Sequence, residues 1–204
     1  MPSPGFSSGE PYINEPRIES PQLAPFWTPM GQQSIFRRLM EAFAYPGRVQ
    51  VLPGACAGET LLGVLATLVD GSVTLADPDH LLPAEEWSRL EARRGAPEQA
   101  RFVLVRGDSA PVFAPALGSL ESPEAGATLL LRVAALGEGL PLRISGPGVD
   151  GEELLSVSGL HPAWLDRRES WNAGFPMGVD LLLIGPAQAS ALPRSSRVRL
   201  PGAA

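Results

Sequence analysis

Two almost unbroken apolar runs constrain the fold of this 204-residue chain more than any other feature. They are Val179-Asp-Leu-Leu-Leu-Ile184 and Ala127-Thr-Leu-Leu-Leu-Arg-Val-Ala-Ala-Leu136. A strand with one wet face alternates apolar and polar residues. A run without that alternation belongs to a strand covered on both faces, the usual situation in a layered α/β domain. Neither run approaches the roughly 18 apolar residues of a membrane span, and Arg132 interrupts the longer one. A mixed α/β fold is therefore expected, with a sheet flanked by helices.

The remaining elements are assigned by periodicity. Ile35, Phe36, Leu39, Met40 and Phe43 fall on one face of a helix opened by Ser34 and stopped by Pro46-Gly47. Arg48–Leu52 alternates like a half-buried strand, and Glu59–Val69 has the alanine and leucine content of a buried helix. Ser72–Ala76 and Arg101–Val105 follow as strands, separated by a helix beginning at Pro83 with Trp87 and Leu90 inward and ending near Gly95. Ala127–Leu136 is expected to be a long central strand, joined by a Gly137-Glu138-Gly139 hairpin turn to a strand over Leu140–Ser145. Pro162–Ala173 has helix composition around Trp164, Leu165 and Trp171, and Arg197–Leu200 alternates as an edge strand. Seven prolines in residues 1–30 make that segment an extended arm, leaving 31–204 as one domain.

Composition narrows the chemistry. The 16 basic residues are all arginine, so no pyridoxal Schiff base can form on this chain and no P-loop lysine exists. One cysteine, Cys56, excludes an internal disulfide and a self-contained iron–sulfur site. A net charge of −6 argues against coating nucleic acid or an anionic membrane. The first residues, Met1 to Pro11, show neither a cationic start nor an apolar stretch, so the cytoplasm is the expected location.

Few residues stand out as chemical groups. Cys56 sits among small apolar neighbours and is expected as a buried hydrophobe. His161 and His80 have no orienting partner in sequence, and Asp70, Asp77, Asp79 and Asp108 sit where turns need Asp. Gly146-Pro-Gly-Val-Asp-Gly151 has the glycine content of a phosphate loop, but its proline removes an amide donor. Arg194, Ser195, Ser196 and Arg197 form the main candidate, as an anion-binding fork, an interface contact or a charged strand edge.

Three ordered blocks carry a family resemblance. Ser34-Ile-Phe-Arg-Arg-Leu-Met-Glu-Ala-Phe-Ala-Tyr-Pro-Gly47 resembles the opening helix of the PhnH family, a component of the carbon–phosphorus lyase system. Pro123–Leu136 with Leu142–Gly148 is similar to that family's central strands. Phe175–Leu183 with Leu192–Arg197 is similar to its C-terminal signature. The resemblance implies a fold like that of pyridoxal-phosphate-dependent transferases without the cofactor. It implies a homodimer in isolation and association with carbon–phosphorus lyase subunits G, I and J. It implies an accessory, non-catalytic role in organic phosphonate catabolism, supporting transfer of a phosphonate to the ribose C1′ of a nucleoside triphosphate. No cofactor, metal or catalytic residue is carried over. The alternative is a stand-alone nucleotide- or phosphonate-binding protein that uses the C-terminal arginines.

Overall fold

The computed structural model describes residues 24–54 and 59–202. Cys56 and most of the expected arm therefore lie outside the described residues. The elements in order are α1 (Pro29–Ala44), β1 (Gln50–Val51), α2 (Thr60–Leu68), β2 (Thr74–Ala76), α3 (Ala84–Leu90), β3 (Arg93–Arg94), β4 (Phe102–Arg106), β5 (Thr128–Arg132), β6 (Ala135–Ser145), β7 (Glu153–Ser158), α4 (Ala163–Asn172), β8 (Asp180–Gly185), β9 (Gln188–Leu192) and β10 (Arg197–Arg199). Seven strands form one sheet in the order β1-β9-β8-β5-β4-β2-β3, and β10-β6-β7 form a second. Strands β3, β2, β4, β5 and β8 run parallel, while β9 and β1 are antiparallel to their neighbours β8 and β9.

The unbroken apolar runs occupy the middle of the large sheet, with a core on each face. Leu104, Leu130, Leu182 and Ile184 face α1, α2 and α3. Their chain neighbours Val103, Val105, Leu129, Leu131, Leu181 and Leu183 face the small sheet and α4. Successive strand residues point to opposite faces, so a strand clamped between two layers needs an apolar residue at every position. That is why β5 and β8 lack alternation.

The structure corrects several local expectations. Helix α1 starts at Pro29, not Ser34: Thr28 caps it by accepting from the Gly31 N–H at 3.1 Å, and Pro29 takes the first turn, where a missing N–H costs nothing. Its buried seam is Ile35, Leu39 and Ala42, which leaves Phe36 and Met40 47% and 57% exposed. The expected central strand breaks after Arg132. Strand β5 stays in the large sheet, whereas Ala135 begins β6 of the small one. Gly137-Glu138-Gly139 is a bulge within β6, since Leu136 and Leu140 both lie opposite Val157. Gly137 and Gly139 adopt φ of 98° and 97°, a conformation that glycine takes without a Cβ clash, so the extra residues fit without ending the strand. The true hairpin connection is residues 146–152, between β6 and β7, with no helix after it; this removes the phosphate-loop context. Helix α3 stops at Leu90 on a left-handed Glu91, and Arg93–Arg94 then pair with β2. No helix among the described residues is long and apolar enough to cross a membrane.

Candidate functional site

The chain leaves β2 through α3 on the helical face to reach β3 at one sheet edge. It leaves β4 through residues 107–127, whose Phe113, Ala116 and Leu117 pack on the opposite face, and continues towards β5 and β8. Two adjacent parallel strands whose connections depart to opposite faces leave a crevice at their carboxyl ends, the usual ligand position in open α/β sheets. A cleft of about 550 Å³ lies there, inside the roughly 300–1,000 Å³ range of small-molecule sites.

Its walls come from four strand ends and two helix starts. Leu81, Leu82, Pro83 and Glu86 follow β2, Arg106 and Asp108 end β4, Arg132 ends β5, and Gly185 ends β8. Thr60, Leu61 and Leu62 bring in the first turn of α2. Asp77 shapes the β2 exit by accepting from the Leu81 and Leu82 N–H groups, both at 2.9 Å. Asp79 Oδ2 accepts from the Arg106 N–H at 2.7 Å, joining the ends of β2 and β4. Arg106 forks onto Asp108, Nε to Oδ1 at 2.9 Å and Nη2 to Oδ2 at 2.7 Å. The guanidinium holds the Asp108 carboxyl below the usual range, with a smaller contribution from Arg132, so the pair stays ionised at neutral pH. Arg132 itself makes no salt bridge among the described residues.

The four aspartates thus have structural roles, Asp70 included: its Oδ1 accepts from the Ser72 N–H at 2.8 Å in a tight turn. His161 Nδ1 accepts from the Ala163 N–H at 3.2 Å at the start of α4, and His80 is an exposed turn residue at φ 53°. Neither histidine lines the cleft. No cluster of metal-ligating side chains occurs among the described residues.

The C-terminal candidate residues are divided by the fold. Arg194 is turned inward: its Nη2 donates to Asp180 Oδ2 at 2.7 Å, its Nη1 to the Pro123 carbonyl at 2.7 Å, and its own N–H to Asp180 Oδ1 at 2.7 Å. Ser196 is buried, donating to the Pro193 carbonyl at 2.7 Å and accepting from Arg168 Nη2 at 3.0 Å. Burial pushes the Arg168 guanidinium down to about 10, against an opposing pull from Asp180. Ser195 and Arg197 are both exposed. Arg197 stands on β10 opposite Ser145, and Arg199 directly opposite Arg143. Directly opposed residues share a face of the sheet. Three arginines and Ser145 therefore gather there around a recess of about 260 Å³, with Glu152 bonded to Arg143 at 2.8 Å. Alternation along β10 already places Arg197 and Arg199 on one face, but only strand pairing brings Arg143 to them.

Comparison with known proteins adds a separate line. The family model described as "Bacterial phosphonate metabolism protein (PhnH)" matches residues 25–199. A Stutzerimonas stutzeri protein named putative C-P lyase subunit protein HtxG is 48% identical over 177 residues, covering 87% of this chain and 90% of that protein. A Rhizobium meliloti (strain 1021) protein named alpha-D-ribose 1-methylphosphonate 5-triphosphate synthase subunit PhnH is 32% identical over 182 residues, covering 81% and 89%.

Proposed function

The chain belongs to the PhnH family of bacterial phosphonate metabolism proteins, and on that premise we propose that it is an accessory subunit of a carbon–phosphorus lyase system. In this role it supports formation of a ribose 1-phosphonate 5-triphosphate from a nucleoside triphosphate and a phosphonate, and is inactive alone. The observation that carries the proposal is the 48% identity, across 87% of the chain, to a protein named as a C-P lyase subunit. The name of the second relative, a ribose 1-methylphosphonate 5-triphosphate synthase subunit, supports the finer assignment. A fold like the pyridoxal-phosphate-dependent transferases, a cytoplasmic location, a homodimer in isolation and partner subunits G, I and J belong to the same proposal.

The chain's own chemistry fits an assisting role. With no lysine it cannot hold pyridoxal phosphate as a Schiff base, and with one cysteine it cannot ligate an iron–sulfur cluster alone. Phe36 and Met40, four residues apart on the outer face of α1, offer an apolar stripe of the kind found in subunit contacts. Co-expression of the tagged chain with the other subunits, followed by sizing of the purified material, tests the proposal. A stable multi-subunit particle is expected; recovery of this chain alone, or phosphonate turnover by the lone protein, would overturn it.

A second function is favoured by the arginine face of β10 and β6. Glu152 already offsets Arg143, whereas Arg197 and Arg199 make no salt bridge among the described residues and could both meet a polyphosphate or phosphonate. The double change Arg197→Ala with Arg199→Ala should then weaken pyrophosphate binding about 10-fold or more. The melting temperature should move by less than about 2 °C, because both side chains are exposed.

A further inference from the structure

We propose that β7 pairs edge to edge with β7 of a second copy, joining two three-stranded sheets into one of six strands. This rests on the homodimer given above and adds the surface and the register that build it. An unpaired strand edge offers a row of N–H and C=O groups to any other chain. Folded proteins blunt such edges by shortness, charge, proline or bulges. The two sheets have four edges, β1, β3, β10 and β7. Strands β1 and β3 are two residues each, and β3 is Arg93-Arg94. Strand β10 has three residues, of which Arg197 and Arg199 are exposed.

Strand β7 carries none of these protections. It has six residues, Glu153-Leu-Leu-Ser-Val-Ser158, without proline or a basic residue, and no strand lies beyond it among the described residues. Its one charge, Glu153, stands at the strand start, 3.7 Å from Arg48. Leu154 is 67% exposed. A recess of about 430 Å³ is lined by residues 153–156 and 47–50, and β7 makes no pairing with β1.

Symmetry selects a second copy as the occupant. An isologous pair uses the same edge on both copies and therefore closes. The joined sheet runs β10-β6-β7-β7-β6-β10 and ends on arginine-bearing β10 at both sides, so it does not propagate. A two-fold axis normal to the sheet keeps every residue on its own face. Opposed residues must then both be even or both be odd in number. Leu155 and Val157 face the core, while alternation turns Leu154, Ser156 and Ser158 outward. Centring the axis on Ser156 sets it against the partner's Ser156, Leu154 against the partner's Ser158, and Leu155 against the partner's Val157. No like charges meet in this register, and Glu153 overhangs the partner strand beside its own Arg48. Centring on Leu155 would instead set the Glu153 carboxylate against the partner's Val157 on the core-facing side, which is unfavourable.

The test is Ser156→Cys in a Cys56→Ser background, with mild oxidation of the full-length chain and non-reducing electrophoresis. Directly opposed residues of an antiparallel pair lie about 4.5–5.5 Å apart at Cα. That is inside the roughly 4.4–6.8 Å that a disulfide spans. Most of the chain should therefore run as a covalent dimer, and Cys56→Ser alone should not. Leu154→Cys should not cross-link, because its two copies are offset by four residues, about 14 Å along the strand. Ser156→Lys sets two ammonium groups face to face and should raise the dimer dissociation constant about 10-fold or more in sedimentation. Arg197→Ala, on the protected edge, should leave it unchanged. A monomer in sedimentation would overturn this pairing together with the homodimer, and leave the edge to another chain or to residues 1–23. A dimer without the Ser156→Cys cross-link would overturn the pairing alone, as would equal cross-linking of Ser156→Cys and Leu154→Cys.

Discussion

Arg194→Ala lowers folding stability by about 3 kcal/mol, read as a fall of roughly 10 °C in melting temperature. Arg194 and Asp180 are 13% and 20% exposed at their side chains, so water cannot take over when the guanidinium is removed. Alanine leaves the Asp180 carboxylate without its fork and the Pro123 carbonyl without its Nη1 donor. Those contacts join the end of β9 to β8 and to the turn before β5. The space is tight as well: a Cβ on Gly126 would come within 2.7 Å of Arg194 Nη1 and 2.3 Å of the Gly178 carbonyl. Arg194→Lys should recover little, because an ammonium cannot reach both oxygens of Asp180 and the Pro123 carbonyl as a planar fork does. Arg197→Ala, three residues on and exposed, should change stability by less than about 0.5 kcal/mol. Denaturant unfolding of the three variants checks this. Equal stabilities for Arg194→Ala and Arg197→Ala would contradict the division of the C-terminal arginines into one structural and one available group.

Trp164→Ala should cost about 4 kcal/mol and abolish most of the near-ultraviolet circular dichroism. Trp164 is buried on the inner face of α4, 6.2 Å from Phe113 and 6.4 Å from Trp171 between ring centres. Its Nε1 donates to the Ser109 carbonyl at 2.8 Å, tying α4 to the loop that leaves β4. Truncation opens a cavity in this aromatic cluster and leaves that carbonyl without the indole donor. Trp164→Phe separates the two effects: it keeps most of the packing and loses only the hydrogen bond, for about 1–2 kcal/mol. If both variants cost the same, the hydrogen bond and not the ring would carry the anchor.

Much of the fold is legible from local pattern. The cores of α2, α4, β4, β5 and β8, the inward placement of Trp164, and the edge position of β10 all follow from apolar content, spacing and punctuation. Strand β9 is not visible in the sequence, because Gln-Ala-Ser-Ala-Leu has neither bulk nor alternation; its small residues suit packing beneath α1. Gly137-Glu138-Gly139 reads as a hairpin because glycines at positive φ suit a turn and a bulge equally well. Phe36 and Met40 are expected inward because a helix can turn either of two neighbouring stripes to the core, and only the seat on β9 and β1 selects one.

The candidate site is less legible still. Its residues come from the ends of four strands and from the starts of α2 and α3, separated by up to 126 positions between Thr60 and Pro186. Glu86 looks like an ordinary first-turn acid in sequence, and its unpaired oxygen exists only because packing buries it beside a capping proline.

The layered α/β class, the leucines that fill both cores, the exclusion of lysine chemistry and of a self-contained iron–sulfur site, and the family resemblance can all be read from the amino-acid order. Each of these depends on residue identity and short-range spacing. Which arginines point inward, where the sheet switches direction and which carboxylate oxygen is buried without a partner emerge only once the chain is folded. Those outcomes depend on strand pairing and burial, which bring together groups that the chain keeps far apart.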